Sequence, residues 1–163
     1  QSGPTENRGC PWPDADGDGI YDKDDLCVDE VGTIENKGCP QLSSEIIKTL
    51  NQFGSRINFA ANSNNIYGKK NFEVLNNIVK VLNENLEGGI IIEGYSSSDG
   101  EEKYNIELSI MRAESIRDYL INQGVSLERI KVLGLGESTP ISDNGSPEGR
   151  ASNRRVQFKP KRK

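Results

Sequence analysis

Two stretches of this sequence carry residue types whose spacing could do chemistry. The first is Asp14–Asp25, DADGDGIYDKDD. Asp14, Asp16 and Asp18 alternate, so a tight loop can turn three carboxylates inward. Gly19 permits the sharp bend, and Asp22 and Asp25 follow at the ninth and twelfth positions. Hard oxygen donors at this spacing suit Ca²⁺ better than any softer metal. Unligated, so many carboxylates would repel one another into an extended, solvated run, and calcium is the expectation weighed against that.

The second stretch is Gly94–Arg112, GYSSSDGEEKYNIELSIMR. Gly94 closes an apolar run, where a ligand can come close to the backbone. Ser96, Ser97 and Ser98 bring hydroxyls and backbone donors to the C-terminal end of a strand, where open α/β sheets tend to bind ligands. Asn105, Ser109 and Arg112, following Tyr104, recur at helical spacing and put polar groups on one face of an otherwise apolar helix. Arg112 on that face is either a binding group or a snorkelling side chain paired with Glu101 or Glu114. The chemistry on offer is holding, not reacting. With no histidine in the chain, a Ser/His or Cys/His nucleophile is excluded, and the adjacent Glu101 and Glu102 read as surface charge rather than an acid/base pair. No enzyme is expected. Nor is a nucleic-acid binder: Arg150, Arg154, Arg155 and the KPKRK tail lack interleaved aromatics and sit on a chain of net charge -5.

The elements that must position these residues fall into two regions. Residues 1–40 are rich in Asp, Gly and Pro, have little apolar periodicity, and cannot build a core without staples. They also repeat: SGPTENRGCP (Ser2–Pro11) matches VGTIENKGCP (Val31–Pro40) at a shift of 29 residues, which superposes Cys10 on Cys39. The same shift applied to Cys27 puts a cysteine before Gln1. The expectation is therefore a Cys27–Cys39 disulfide in an oxidising compartment, with the partner of Cys10 lost from an excised piece of a longer protein. A zinc site fits less well, because there is no CxxC pair and no histidine.

Residues 41–163 read differently. Ser43 or Ser44 caps a helix running to about Phe53, with Ile46, Ile47 and Leu50 on one face. Arg56–Ala60 reads as a strand. Asn71–Asn85 is an amphipathic helix with Phe72, Leu75, Val79 and Leu82 inward. GGIIIEGYS is a buried strand, and a long helix follows with Ile106, Ile110, Ile116 and Leu120 inward and Gly124 as its stop. RIKVLGLGE and RRVQFKP are the last strands, joined by a loop. The expected fold is α/β, a sandwich of a mixed sheet with helices packed on one side, preceded by the irregular calcium and disulfide segment. No run of 18 apolar residues spans a membrane.

The acidic loop differs from an EF-hand: its twelfth position is Asp and no helices flank it. It resembles the thrombospondin type-3 repeat, DxDxDGxxDxxDxC followed by GCP. That resemblance implies Ca²⁺ held by Asp14, Asp16, Asp18, the Ile20 carbonyl, Asp22 and Asp25, disulfides between successive cysteines, and a stiff spacer. From about Ile57 to Phe158 the chain resembles the OmpA-like peptidoglycan-binding domain, also found in Pal lipoproteins and flagellar stator proteins. The pattern GHTDxxGxxxYNxxLSxxRA falls without a gap on Gly94–Ala113, and GLGESTPISDNGSPEGRASNRRV carries the second block.

This second resemblance implies non-covalent binding of the diaminopimelate residue of the peptidoglycan stem. Arg112 would take the ligand carboxylate. Gly94, Tyr95, Ser96, Ser97, Tyr104, Asn105 and Leu108 would line the pocket, with Arg155 nearby. It also implies the periplasmic face of the outer membrane, reached through a missing N-terminal region, with homodimerisation left open. The sequence departs from the pattern where His, Thr and Asp become Tyr95, Ser96 and Ser97, so the ligand's ammonium meets a neutral serine. Either wall binding survives with an altered ammonium contact, or the fold serves as a protein-interaction or adhesion module.

Overall fold

The computed structural model describes residue 8 and residues 10–162. It divides into two compact units, one ending at Gln41 and the other Leu42–Lys161. Most of the Ser2–Pro11 half of the repeat lies outside the described residues.

The acidic unit is almost all turn. A short 3-10 turn, Ile34–Asn36, is capped by the Thr33 hydroxyl, and Thr33 bridges Cys39. Cys27 and Cys39 are disulfide-bonded. They are also the unit's buried apolar side chains among the described residues. Buried Asn36 donates from Nδ2 to the carbonyls of Cys39 and Pro40, doing for this turn what a strand ladder does elsewhere.

The larger unit runs α1 (Ser44–Gly54), α2 (Lys69–Glu84), β1 (Gly89–Gly94), α3 (Glu102–Asn122), β2 (Ile130–Gly134), α4 (Pro147–Asn153) and β3 (Val156–Lys161). The sheet order is β2-β1-β3, with β1 parallel to β2 and antiparallel to β3. Parallel neighbours need a crossover, and α3 supplies it. Helix α1 packs on β3, α3 packs on β1 and β2, and α2 packs on α1 and α3. Strand pleating sends Ile90, Ile92, Val156 and Phe158 into the helical side, where they join Leu50, Leu75, Ile78, Leu82, Ile116 and Leu120 in one core. The mixed α/β fold with helices to one side is as the sequence predicts.

Helix ends follow local chemistry. Ser43 accepts from the Ile46 N–H at the start of α1. Gly124, at φ +96°, closes α3: its N–H reaches the Ile121 carbonyl, and the Val125 N–H reaches Leu120. Arg129 clamps the C-terminus of α2, donating to the carbonyls of Leu82, Asn85 and Gly88.

Four local expectations are corrected. Arg56–Ala60 forms no strand. Ile57 and Phe59 are buried in alternation, but the Asn71 side chain takes both the N–H and the carbonyl of Asn58, and arginines take the carbonyls beyond. Helix α2 turns Asn71, Val74, Leu75, Ile78 and Leu82 inward, whereas Phe72 is outside against Tyr119, ring centroids 5.6 Å apart. Helix α3 buries Asn105, Leu108, Ser109 and Arg112. Ile106 is 38% exposed, lying over Gly136, and Ile110 rests on Gly134. The presumed loop before β3 contains α4, signalled by the Ser146 cap and Pro147 in the first turn.

Candidate functional site

The β1 strand ends at Gly94 under α3. A Cβ there would collide with the Ser109 carbonyl, so the close approach that glycine permits is made by the helix. Ser109 continues the contact: its hydroxyl donates to the Ile106 carbonyl and accepts from the Gly136 N–H at 3.0 Å. One turn on, Arg112 is fully buried at 0% exposure. Its Nε donates to the Ser63 carbonyl at 2.9 Å, Nη2 to Ala60 at 3.0 Å and Nη1 to Tyr95 at 3.4 Å. The guanidinium also sits over the Phe59 ring, 5.3 Å from its centroid.

Arg112 has no ion pair among the described residues. Of the two alternatives for Arg112, the snorkelling side chain paired with Glu101 or Glu114 is not found: Glu114 binds Arg117, and the helical face carrying Arg112 turns into the protein. Burial, and then the like charge of Arg154, push the Arg112 pKa down to about 10. That leaves it a cation at neutral pH, hydrogen-bonded to backbone carbonyls and lying over the Phe59 ring. A guanidinium has five N–H groups, so each terminal nitrogen retains a second donor. Arg154 donates to the Phe59 carbonyl, and two arginines thus hold the strandless segment 57–63.

The remaining predicted residues surround this centre. Tyr95 is buried, with its hydroxyl donating to Glu93 Oε2 at 2.8 Å. Desolvation, then that bond and the Glu93 charge, lift its pKa to about 12. Arg155 stacks on the Tyr95 ring at 3.8 Å and donates to the Thr139 carbonyl at 2.9 Å. Its Nε and Nη1 are buried without partners, and burial lowers its pKa. Buried Ser96 gives its N–H to the Gly136 carbonyl, while its hydroxyl has no partner. Ser97 is 5% exposed and donates to Asp99 Oδ2 at 2.9 Å. Asn105 is buried and its Nδ2 donates to Glu137 Oε2 at 2.6 Å, a contact between residues far apart in the sequence with no local signal. Leu108 is buried, and Tyr104 is 41% exposed at the rim.

In the acidic unit the structure gathers Asp14, Asp16 and Asp18, each offering a carboxylate oxygen within 4.8 Å of the others. Their remaining capacity is largely committed to turn N–H groups: Asp14 to Gly17 and Gly19, Asp16 to Asp18, Asp18 to Ile20 and Gly32. Asp16 Oδ2 is buried without a partner. Its carboxyl is held above the ordinary range by desolvation and by the charges of Asp18, Asp25 and Asp14, against the pull of the Asp18 N–H. Asp22 accepts from the Ala15 N–H and Asp25 from that of Cys27, and neither lies within the cluster of the three carboxylates.

A family model described as OmpA family matches residues 58–154. "Outer membrane porin F" of Pseudomonas aeruginosa is 33% identical over 147 residues, covering 88% of this chain and 40% of the relative. "Peptidoglycan-binding protein ArfA" of Mycobacterium tuberculosis is 41% identical over 87 residues, 53% of this chain and 27% of its own length. Among solved structures, the peptidoglycan-associated lipoprotein from Burkholderia pseudomallei superposes with a TM-score of 0.60 at 24% identity, covering 64% of this chain and 88% of that one. The chain thus spans less than half the length of these two sequence relatives. Among the described residues no helix is long and apolar enough to cross a membrane.

Proposed function

The chain belongs to the OmpA family, and from that premise we propose that its Leu42–Lys161 unit binds peptidoglycan without a covalent bond, through the diaminopimelate of the peptide stem, and so tethers an outer membrane to the cell wall. The observation that carries this reading is Arg112: a fully buried cation without a carboxylate partner among the described residues. A buried charge is costly unless paired, and a ligand carboxylate meeting the spare N–H groups would supply the pair in bidentate form. Two relatives support the setting, one named for the outer membrane and one for peptidoglycan binding. Many weak contacts of this kind hold two surfaces by avidity.

The acidic unit, in this reading, is a calcium-stiffened spacer. The donor set is all hard oxygen, and the unpartnered Asp16 Oδ2 beside Asp14 and Asp18 fits a cation. Bound Ca²⁺ would neutralise the carboxylates and replace a missing core. Calorimetric titration with Ca²⁺ should show a site that Asp16→Asn removes.

A second reading, a protein-interaction module on the same fold, is favoured by the Ser97 hydroxyl already committed to Asp99 and by the closed cover over Arg112. Sedimentation with purified sacculi separates the two. The native chain should pellet with the wall, and Arg112→Ala and Arg112→Met, checked for folding by circular dichroism, should stay in the supernatant. A folded native chain that does not pellet overturns wall binding.

A further inference from the structure

The geometry points to Asp99 as the group that receives the ammonium of the ligand, an inference that rests on the peptidoglycan reading above. A zwitterionic amino-acid head needs an acid as well as an arginine. Glu93 is buried and satisfied by the Tyr95 hydroxyl and by Lys159 at 3.0 Å. Glu137 is held by Asn105, and Asp143 accepts from the Gly145 N–H. Asp99 differs in three respects. Its side chain is 51% exposed. Its Oδ2 is presented by the hydroxyl of Ser97, two residues beyond the Tyr95 carbonyl that Arg112 holds. Its only cationic partner among the described residues is Arg150, with Nε at 3.6 Å and a side chain itself 29% exposed.

A pair at that distance and exposure is weak and exchangeable. A primary ammonium, compact and carrying three donors, can displace the guanidinium and sit on Asp99 beside the Ser97 oxygen. Arg150 is not lost when it lets go, because its Nη1 is tied to the Asn144 carbonyl at 3.0 Å. Asn144 Oδ1 in turn holds the Ser98 N–H at 3.2 Å and Asn153 Nδ2 at 2.9 Å. The 97–99 loop is thereby clipped to the 144–150 loop through Asn144, independently of the ion pair. Arg150 is a stand-in counterion that holds the acid in place until an amine arrives.

The two partners of this ion pair therefore act in opposite directions on binding, whereas a purely structural ion pair would make them act alike. The test is calorimetry of the full chain with a diaminopimelate-containing stem tripeptide, its distal amine free or acetylated. The native protein should prefer the free amine. Asp99→Asn should weaken binding of the free-amine ligand about tenfold, the scale of one charge-assisted hydrogen bond, and leave the acetylated ligand unchanged. Arg150→Gln should bind the free amine at least as tightly as the native chain. Equal weakening in both variants, or a native protein indifferent to acetylation, overturns the role of Asp99 while leaving wall binding intact. A native protein that binds neither ligand overturns both.

Discussion

The two units of this chain solve the same problem by opposite means. Among the described residues, the acidic unit buries Cys27 and Cys39 and little else apolar, and is held by their disulfide, by Asx turns and by a buried asparagine. The Leu42–Lys161 unit contains no cysteine and is held by a contiguous aliphatic core. The difference teaches where each tolerates charge. A segment without a core can line up carboxylates on its turn N–H groups. A core can bury Arg112 only by surrounding its guanidinium with carbonyls.

The largest effect should come from removing the staple. Cys27→Ser is expected to open residues 10–41 to limited proteolysis, since losing such a bond from a small unit costs about 2–5 kcal/mol. The melting midpoint of the cysteine-free core should stay where it was. Next in size is Ile78→Ala, a fully buried truncation; chemical denaturation should report a loss of about 3 kcal/mol with the acidic unit's protease pattern unchanged. Asn71→Ala sharpens the contrast, because it removes a side chain doing strand work inside the core-built unit. Leaving the Asn58 N–H and carbonyl bare should cost about 2 kcal/mol. The smallest shift belongs to Phe72→Ala, where loss of a half-exposed ring pair with Tyr119 should cost under about 1 kcal/mol; a larger loss would mean that Phe72 belongs to the core after all.

Much of the fold was legible, and the errors share a cause. The buried strands, the α1 cap and the Gly124 stop are local signals and were read correctly. Phe72 and Ile106 were read inward because they are apolar, yet their places facing the core are taken by Asn71 and Asn105. Both asparagines are paid back by long-range partners, the Asn58 backbone and Glu137. Segment 56–60 has strand composition but no strand. Its hydrogen-bonding groups are claimed by Asn71, Arg154 and Arg112, residues at least 13 positions away in the chain. Nothing in a local window carries that information.

By itself, then, the sequence determined α1, α2, α3, the three sheet strands and the acidic run, because each rests on periodicity, turn chemistry or residue type within a short window; the Cys27–Cys39 pairing followed from the internal repeat, and Arg112 was chosen over a snorkelling side chain only through the resemblance to the OmpA-like domain. Only the tertiary structure decided that Arg112 is buried without a carboxylate partner among the described residues, that the Ser97 hydroxyl donates a hydrogen bond to Asp99, and that Arg150 lies beside that acid. These are matters of distance between residues far apart along the chain, and a buried charge takes its meaning from what surrounds it in space.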